Sequence, residues 1–365
     1  MERVTTTKKH PMLDLAVITL LALIIGILFA HKVDLVTADL GRHLKNGEIF
    51  FQTWRPIAAN FYSYTEPDFP VINHHWASGA LFFLIQKTLG FGPLQIFFIT
   101  INLIAFLLCF DVAKKYVGAP LAALIALPII PLIADRSEIR PEALSYFFAS
   151  LFFWVLLSVR GGERPARFLT TLPLIGLLWV NSHIFFFLGP AILGAFWIEA
   201  LIARERRKLL KPLSLTLIAT MLSAIANPFG LKGALAPFTI FHNYGYRIVE
   251  NQSVWFIARL ARKPLIYIFV LVFLLLTLSV ILFLAKQKRR ALQNSAALFL
   301  ALGFSVMAWL QIRNFALFGF FALPLTAMCV QHAFPEFQNT FLNKHSRALH
   351  RIAVVFLILI VLFLV

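Results

Sequence analysis

The residues with the most chemical potential stand early in the chain, in Asp39-Leu40-Gly41-Arg42-His43-Leu44-Lys45-Asn46-Gly47. Helical spacing places Asp39, Arg42, His43 and Asn46 on one face and Leu40, Leu44 and Phe51 on the other. A carboxylate, a guanidinium and an imidazole on one face supply a base or metal ligand, an anion clamp and an acid–base group. A plainer reading makes Asp39 the N-cap of the helix, its charge matched to the positive end of the dipole. Capping leaves Arg42 and His43 unexplained. His74 and His75 follow, just ahead of Trp76. Neighbouring side chains on a helix diverge, so this pair alone is a poor two-ligand metal site. One ring is expected to face the site, or both to sit at the membrane interface beside Trp76.

A second group lies in Asp135-Arg136-Ser137-Glu138-Ile139-Arg140-Pro141-Glu142, a charge-dense turn ahead of an apolar helix. Pro141 opens that helix and Glu142 suits its first turn. Arg140 does not, because a cation at a helix N-terminus is disfavoured unless it has an anionic partner. The same argument singles out Arg313, which with Asn314 forms a tight turn between two apolar runs. Asn181 and His183 occupy another turn. Asn227-Pro228-Phe229-Gly230 breaks a helix, and Glu250 adds a carboxylate beside the sequon Asn251-Gln252-Ser253.

What must position these groups is a membrane bundle. Of the 365 residues, 60% are hydrophobic and 13% charged, with 39 Phe. Several apolar runs reach the roughly 18 residues needed to cross a bilayer. The net charge of +17 is segregated rather than spread, which argues for membrane orientation and against nucleic acid as a partner. Six clusters, Arg3/Lys8/Lys9, Lys114/Lys115, Arg160/Arg164/Arg167, Arg204/Arg206/Arg207/Lys208/Lys211, Lys286/Lys288/Arg289/Arg290 and Lys344/Arg347/Arg351, hold most of the 33 Lys and Arg. The positive-inside rule places all six in the cytoplasm. Eleven crossings then close the count, at 13–30, 93–110, 119–134, 141–159, 168–181, 184–203, 213–226, 264–285, 295–311, 315–331 and a short last one at 352–365. Trp76–Leu89 is too short to cross and is expected at the outer interface. The N-terminus reads as an uncleaved signal anchor facing the cytoplasm. Asp39, Arg42, His43, His74, His75, Arg140, Glu142, His183, Glu250 and Arg313 then share the outer side although they come from five loops. Cys109 and Cys329 lie in apolar runs, unsuited to a disulfide or thiolate site. No Gly-rich phosphate fingerprint of the Rossmann or P-loop type occurs.

The motifs and their order resemble the C-type membrane glycosyltransferases, in particular a bacterial branch with a D-x-G-x-H-L-x-x-G first loop. The match rests on residues 39–47, Phe61-Tyr62-Ser63-Tyr64-Thr65 and Asn73-His74-His75-Trp76, with weaker agreement at Arg140-Pro141-Glu142, 178–183, 227–231 and Arg313-Asn314. It implies an all-α polytopic module over 1–325, with two interfacial helices in a first outer loop (31–92) and a second long loop (227–263). A cytoplasmic link and final helix would fill 326–365. It also implies transfer of a hexose or pentose from a polyprenyl-phosphate lipid to a glycan, lipid or protein acceptor at the outer face of the cytoplasmic membrane. In this reading Asp39 is catalytic base or ligand to a divalent metal, with Asp135 or Glu142 as second acid. His43, His74, His75 and Glu142 serve the chemistry, and Arg42, Arg140, His183, Glu250 and Arg313 bind substrate. Leu40 departs from the acidic residue that commonly follows the first Asp. The rival reading is a lipid or polysaccharide transporter or a non-catalytic assembly subunit. Such transporters carry internal repeats, and none is found here.

Overall fold

The computed structural model describes residues 10–33, 35, 39–240, 248–337 and 344–364. Arg3, Lys8, Lys9 and the middle of the second long loop fall outside them. Among the described residues the regular structure is helical: α1 (Pro11–Phe29), α2 (Leu40–Thr53), α3 (Trp76–Leu89), α4 (Phe91–Val117), α5 (Ala119–Ala126), α6 (Ile130–Ala134), α7 (Glu142–Arg160), α8 (Thr171–Ser182), α9 (Leu188–Ile202), α10 (Leu210–Ser223), α11 (Gly230–Thr239), α12 (Val254–Leu260), α13 (Pro264–Gln293), α14 (Ser295–Leu310), α15 (Phe315–Ala333), the single turn α16 (Pro335–Phe337) and α17 (Ser346–Leu364). Proline starts explain several boundaries: α1, α5, α6 and α13 carry Pro at their first or second position, where the missing N–H is no loss. Gly90 (φ 95°) and Gly118 (φ 79°) end α3 and α4 in the left-handed region that glycine enters without strain.

Among the described residues, seven helical segments are long and apolar enough to cross a bilayer: Pro11–Phe29, Phe91–Val117, Glu142–Arg160, Ile184–Ile202, Pro264–Gln293, Ile312–Ala333 and Ser346–Leu364. The other four expected crossings appear as shorter pieces, namely α5 with α6, α8, α10 and α14. The break between α5 and α6 falls at Leu127-Pro128-Ile129, as an internal proline requires. The last helix starts at Ser346, six residues before the expected Ile352, and is a full-length span. α2 and α3 are 14 residues each and pack on one another as a hairpin beside the bundle.

α15 is the central post, with 89% of its most apolar window inside the molecule against 17% for α17. Phe269 of α13 stacks on Phe315 at 4.5 Å and meets Phe318 edge-on at 5.2 Å, while Phe304 of α14 stacks on Phe321 at 4.0 Å. Gly319 leaves room for Ile133 of α6. Small residues at crossings with aromatic filling between them are what helix association in lipid relies on.

The polar groups separate to the two ends of this bundle. At one end, Glu199, almost wholly buried, is held by Arg160, Arg206 and the Ala296 N–H. Arg160 also donates to the Tyr116 hydroxyl, and Lys115 pairs with Glu163 at 2.8 Å. His350 of α17 meets Asp14 of α1 at 2.7 Å. The basic segments therefore cluster where α4, α7, α9 and α13 end. The opposite end holds the turn 135–140, the starts of α7 and α15, and the α2–α3 hairpin. There Gly47 and Gly79 let the two helices touch backbone to backbone, and a Cβ at Gly47 would overlap the Gly79 carbonyl. Gly47→Ala is accordingly expected to lower stability by about 1–3 kcal/mol through overpacking, whereas Gly26→Ala in α1, with open space around it, stays within about 0.5 kcal/mol. Thermal melts in detergent compare the two.

Candidate functional site

Three arginines and three glutamates meet at the second end. Arg136 lies 3.4 Å from Glu142 and 2.8 Å from Glu250. Arg140 reaches Glu250 at 3.3 Å and Glu138 at 3.4 Å. Arg313 reaches Glu142 at 3.3 Å, donates to Asn251 Oδ1 at 3.0 Å and rests over the Phe185 ring. Arg136 and Glu142 are both buried. Each would carry a heavy desolvation cost alone, and their pairing offsets it. Burial works against the Glu250 carboxylate, but Arg136, Arg313 and Arg140 outweigh it and hold its pKa below the usual carboxylate range. Burial raises the Asp135 carboxyl, partly opposed by Arg136 and Lys263.

These charges line a cavity of about 530 Å³. Its charged side is Asp135, Arg136, Glu138, Arg140, Glu250, Lys263 and Arg313, and its apolar side includes Leu265, Ile266, Ile312 and Phe315 from the starts of α13 and α15. A smaller cavity of about 340 Å³ lies across the same turn, between His31, Lys32, Gln95 and Ser137, and shares Glu138 with the first.

Beside the arginines three imidazoles pack around a fourth, His75. His43 of α2 meets His75 edge-on at 5.4 Å, His74 meets His75 at 4.4 Å, and His75 stacks on His183 at 5.0 Å. Burial lowers the pKa of His43 to about 3, with help from Arg42 and Arg140, and that of His74 to about 4, with help from Arg42 and Arg313. His75 and His183 are likewise held well below the usual imidazole value, first by burial. All four are neutral near pH 7. The tautomer of His183 is fixed from behind: Trp179 Nε1–H donates to Ser145 Oγ at 2.7 Å, and the Phe185 N–H occupies His183 Nδ1 at 3.3 Å. Ser145 therefore gives its own hydrogen to Nδ1 at 2.8 Å, leaving the His183 proton on Nε2.

Asp39 is exposed ahead of α2. It precedes α2 but makes no side-chain cap hydrogen bond, and its backbone is left-handed (φ 56°). Its carboxylate pairs with Arg42 at 3.0 Å, both side chains exposed. Tyr62 donates to Asn46 Oδ1, pinning the segment after α2 onto that helix. Among the described residues no three His, Cys, Asp or Glu side chains are arranged to hold an ion.

The structure thus gathers Arg140, Glu142, Glu250 and Arg313 into one ion network and His43, His74, His75 and His183 into a neighbouring imidazole group, and leaves Asp39 and Arg42 exposed. The expected polar stripe on α2 is split, because its buried residues are Leu40, His43 and Gly47, the face that meets α3. Both histidines of the 74–75 pair join the cluster, since they precede α3 instead of lying on it. The anionic partners sought for Arg140 and Arg313 are glutamates of the chain itself. Arg136 was missed as a site residue, although it sits in the charge-dense turn four residues before Arg140. Ser145 carried no signal, because a lone serine within an apolar run reads as core, and Trp179 entered only through the weak agreement at 178–183.

No family model matches the chain, and no curated protein matches it. Among solved structures it is similar to the archaeal oligosaccharyltransferase AglB from Archaeoglobus fulgidus, in complex with an inhibitory peptide and a dolichol-phosphate, with a TM-score of 0.59 at 15% identity. The alignment covers 96% of this chain and 54% of that one, so the chain spans about half the length of its structural neighbour. The likeness is one of fold: an all-α, multi-pass membrane architecture shared with an oligosaccharyltransferase.

Two measurements test the electrostatics. Below pH 6.5 the unfolded chain binds protons that folded His43 and His74 refuse until about pH 3 and 4. Stability is then fully present above pH 6.5 and falls as pH drops, by about 1.4 kcal/mol per pH unit for each histidine. Melts from pH 7 to 4.5 should show this slope, and His43→Asn should flatten it by about one proton. Glu142→Gln strands Arg136 and Arg313 and is expected to cost about 3–5 kcal/mol; a melting temperature within about 1 °C of wild type, the shift expected of under 1 kcal/mol in a chain of this length, would contradict that burden.

Proposed function

We propose that the chain is a membrane glycosyltransferase that takes a sugar from a polyprenyl-phosphate carrier and passes it to an acceptor hydroxyl or amide at the outer face of the cytoplasmic membrane. The observation that carries this reading is the cavity with three arginines on one wall and apolar helix starts on the other. A phosphate joined to an isoprenoid chain needs both at once. The fold shared with an oligosaccharyltransferase whose structure contains a dolichol-phosphate agrees with it. The gathering of the basic segments at the other end of the bundle supports a cytoplasmic N-terminus and an outward site.

In this reading Arg136, Arg140 and Arg313 hold the donor phosphate, and Leu265, Ile266 and Phe315 take the first part of the lipid tail. The acceptor oxygen or nitrogen attacks the anomeric carbon as the bond to the phosphate oxygen breaks. The leaving phosphate keeps the electron pair, its charge met by guanidiniums already in place. The acceptor proton goes to a base, for which the neutral imidazoles of His43 and His74 and the exposed carboxylate of Asp39 are the candidates. His75 and His183 position the cluster through the Ser145 and Trp179 hydrogen bonds. Asp135, its carboxyl raised by burial, also lines the cavity, while Glu142 is committed to two arginines.

Turnover of a radiolabelled polyprenyl-phosphate sugar in reconstituted vesicles tests this. Arg140→Ala and Arg313→Ala are each expected to lower kcat about 10²–10³-fold, the loss typical of removing one transition-state donor, and Asp39→Asn to lower it comparably if the carboxylate is the base. Unchanged transfer in Arg140→Ala, or donor binding with no turnover in wild type, defeats the enzymatic reading.

A further inference from the structure

The cavity's arginines are already engaged, and one of their partners differs from the rest. A single oxygen, Glu250 Oε2, sits 2.8 Å from Arg136 Nη1 and 3.3 Å from Arg140 Nη1. That is the coordination which a two-arginine clamp offers to one phosphate oxygen. Glu142 serves the same arginine cluster but is locked, with 4% of its side chain exposed and two guanidiniums on it. Glu250 keeps 32% of its side chain exposed and lines the cavity.

The backbone that carries Glu250 is anchored without the carboxylate. The Ile312 N–H donates to the Gln252 carbonyl at 3.1 Å, Asn251 Oδ1 accepts from Arg313 at 3.0 Å, and the Gln252 side chain donates to the Ile248 carbonyl at 3.1 Å. Release of the carboxylate therefore needs only rotation of one side chain, with the turn 249–252 left in place.

We propose that Glu250 is a resident internal ligand of the anion position, exchanged for the phosphate of an incoming lipid. The inference rests on the reading of this cavity as a phosphate site. One carboxylate charge leaves as one phosphodiester charge enters, so Arg136 and Arg140 remain paired throughout and neither is stranded in a low-dielectric pocket. A neutral lipid has nothing to offer the two guanidiniums and leaves Glu250 where it is. The exchange also loosens the phosphate that remains after transfer, because its successor stands ready on the same wall.

The test uses the full chain in nanodiscs and farnesyl methyl phosphate, a singly charged isoprenoid phosphodiester, in equilibrium binding. Glu250→Gln keeps the side-chain shape and removes the competing charge, so it is expected to bind the probe about tenfold more tightly than wild type, the scale of one charge-assisted hydrogen bond. Without probe the variant should melt below wild type, and saturating probe should close that gap, since the ligand replaces the missing charge. If Glu250→Gln fails to fold, Glu250→Asp, which withdraws the carboxylate while keeping its charge, should still bind more tightly than wild type. Wild-type binding that Glu250→Gln leaves unchanged or weakens overturns the exchange alone. Absence of binding to both proteins overturns the phosphate-site reading, and the exchange with it.

Discussion

The pairing of Arg136 and Arg313 with Glu142 at the end of the bundle is the constraint around which the rest is arranged. A buried carboxylate at the start of a spanning helix is tolerable only if cations reach it from other parts of the chain. Here they come from the turn before α7 and from the turn before α15. Those two turns, nearly two hundred residues apart in sequence, must therefore meet. α15 has to stand against α7, and the Phe269, Phe315 and Phe318 stack then has a fixed place to form. Glu250 and Asn251 are drawn to the same cations, which brings the second long loop to the mouth of the same cavity. One electrostatic demand thus selects which turns become neighbours, and packing fills in behind it.

The histidines add a different kind of order. Neutral imidazoles can be stacked and buried where charged ones would repel, so the descent of their pKa values is part of what lets four of them share a small volume. Neighbouring guanidiniums, Arg42, Arg140 and Arg313, reinforce this by discouraging a further positive charge. Ser145, itself held by Trp179, reaches His183 from the core side, so the orientation of that ring is set by the bundle and not by solvent.

The fold class was legible because composition and charge placement are global properties. Apolar runs, proline starts and basic clusters each left a mark on the sequence, and the interfacial length of Trp76–Leu89 followed from the bilayer's thickness. The site was legible only where a residue violated a local rule. Arg140 and Arg313 were suspect because cations sit badly at helix starts, and both are half-buried in the ion network. Arg136 violated nothing, being one charge among several in a turn, so its burial could not be read. The stripe on α2 failed for a related reason. Amphipathic periodicity assumes that apolar side chains choose the buried face, but here two glycines, Gly47 and Gly79, choose it by permitting backbone contact, and they carry His43 inward with them.

Asp39 holds a left-handed backbone that a non-glycine residue adopts at a cost of about 1 kcal/mol or more. Nothing in its single exposed ion pair with Arg42 recovers much of that. Glycine or asparagine would rest there more easily, so position 39 sets two selective pressures against one another. Drift toward a more stable chain erodes the carboxylate, and keeping the carboxylate means carrying the strain. Whichever residue occupies this position across a population of related chains is thus a record of which pressure has prevailed.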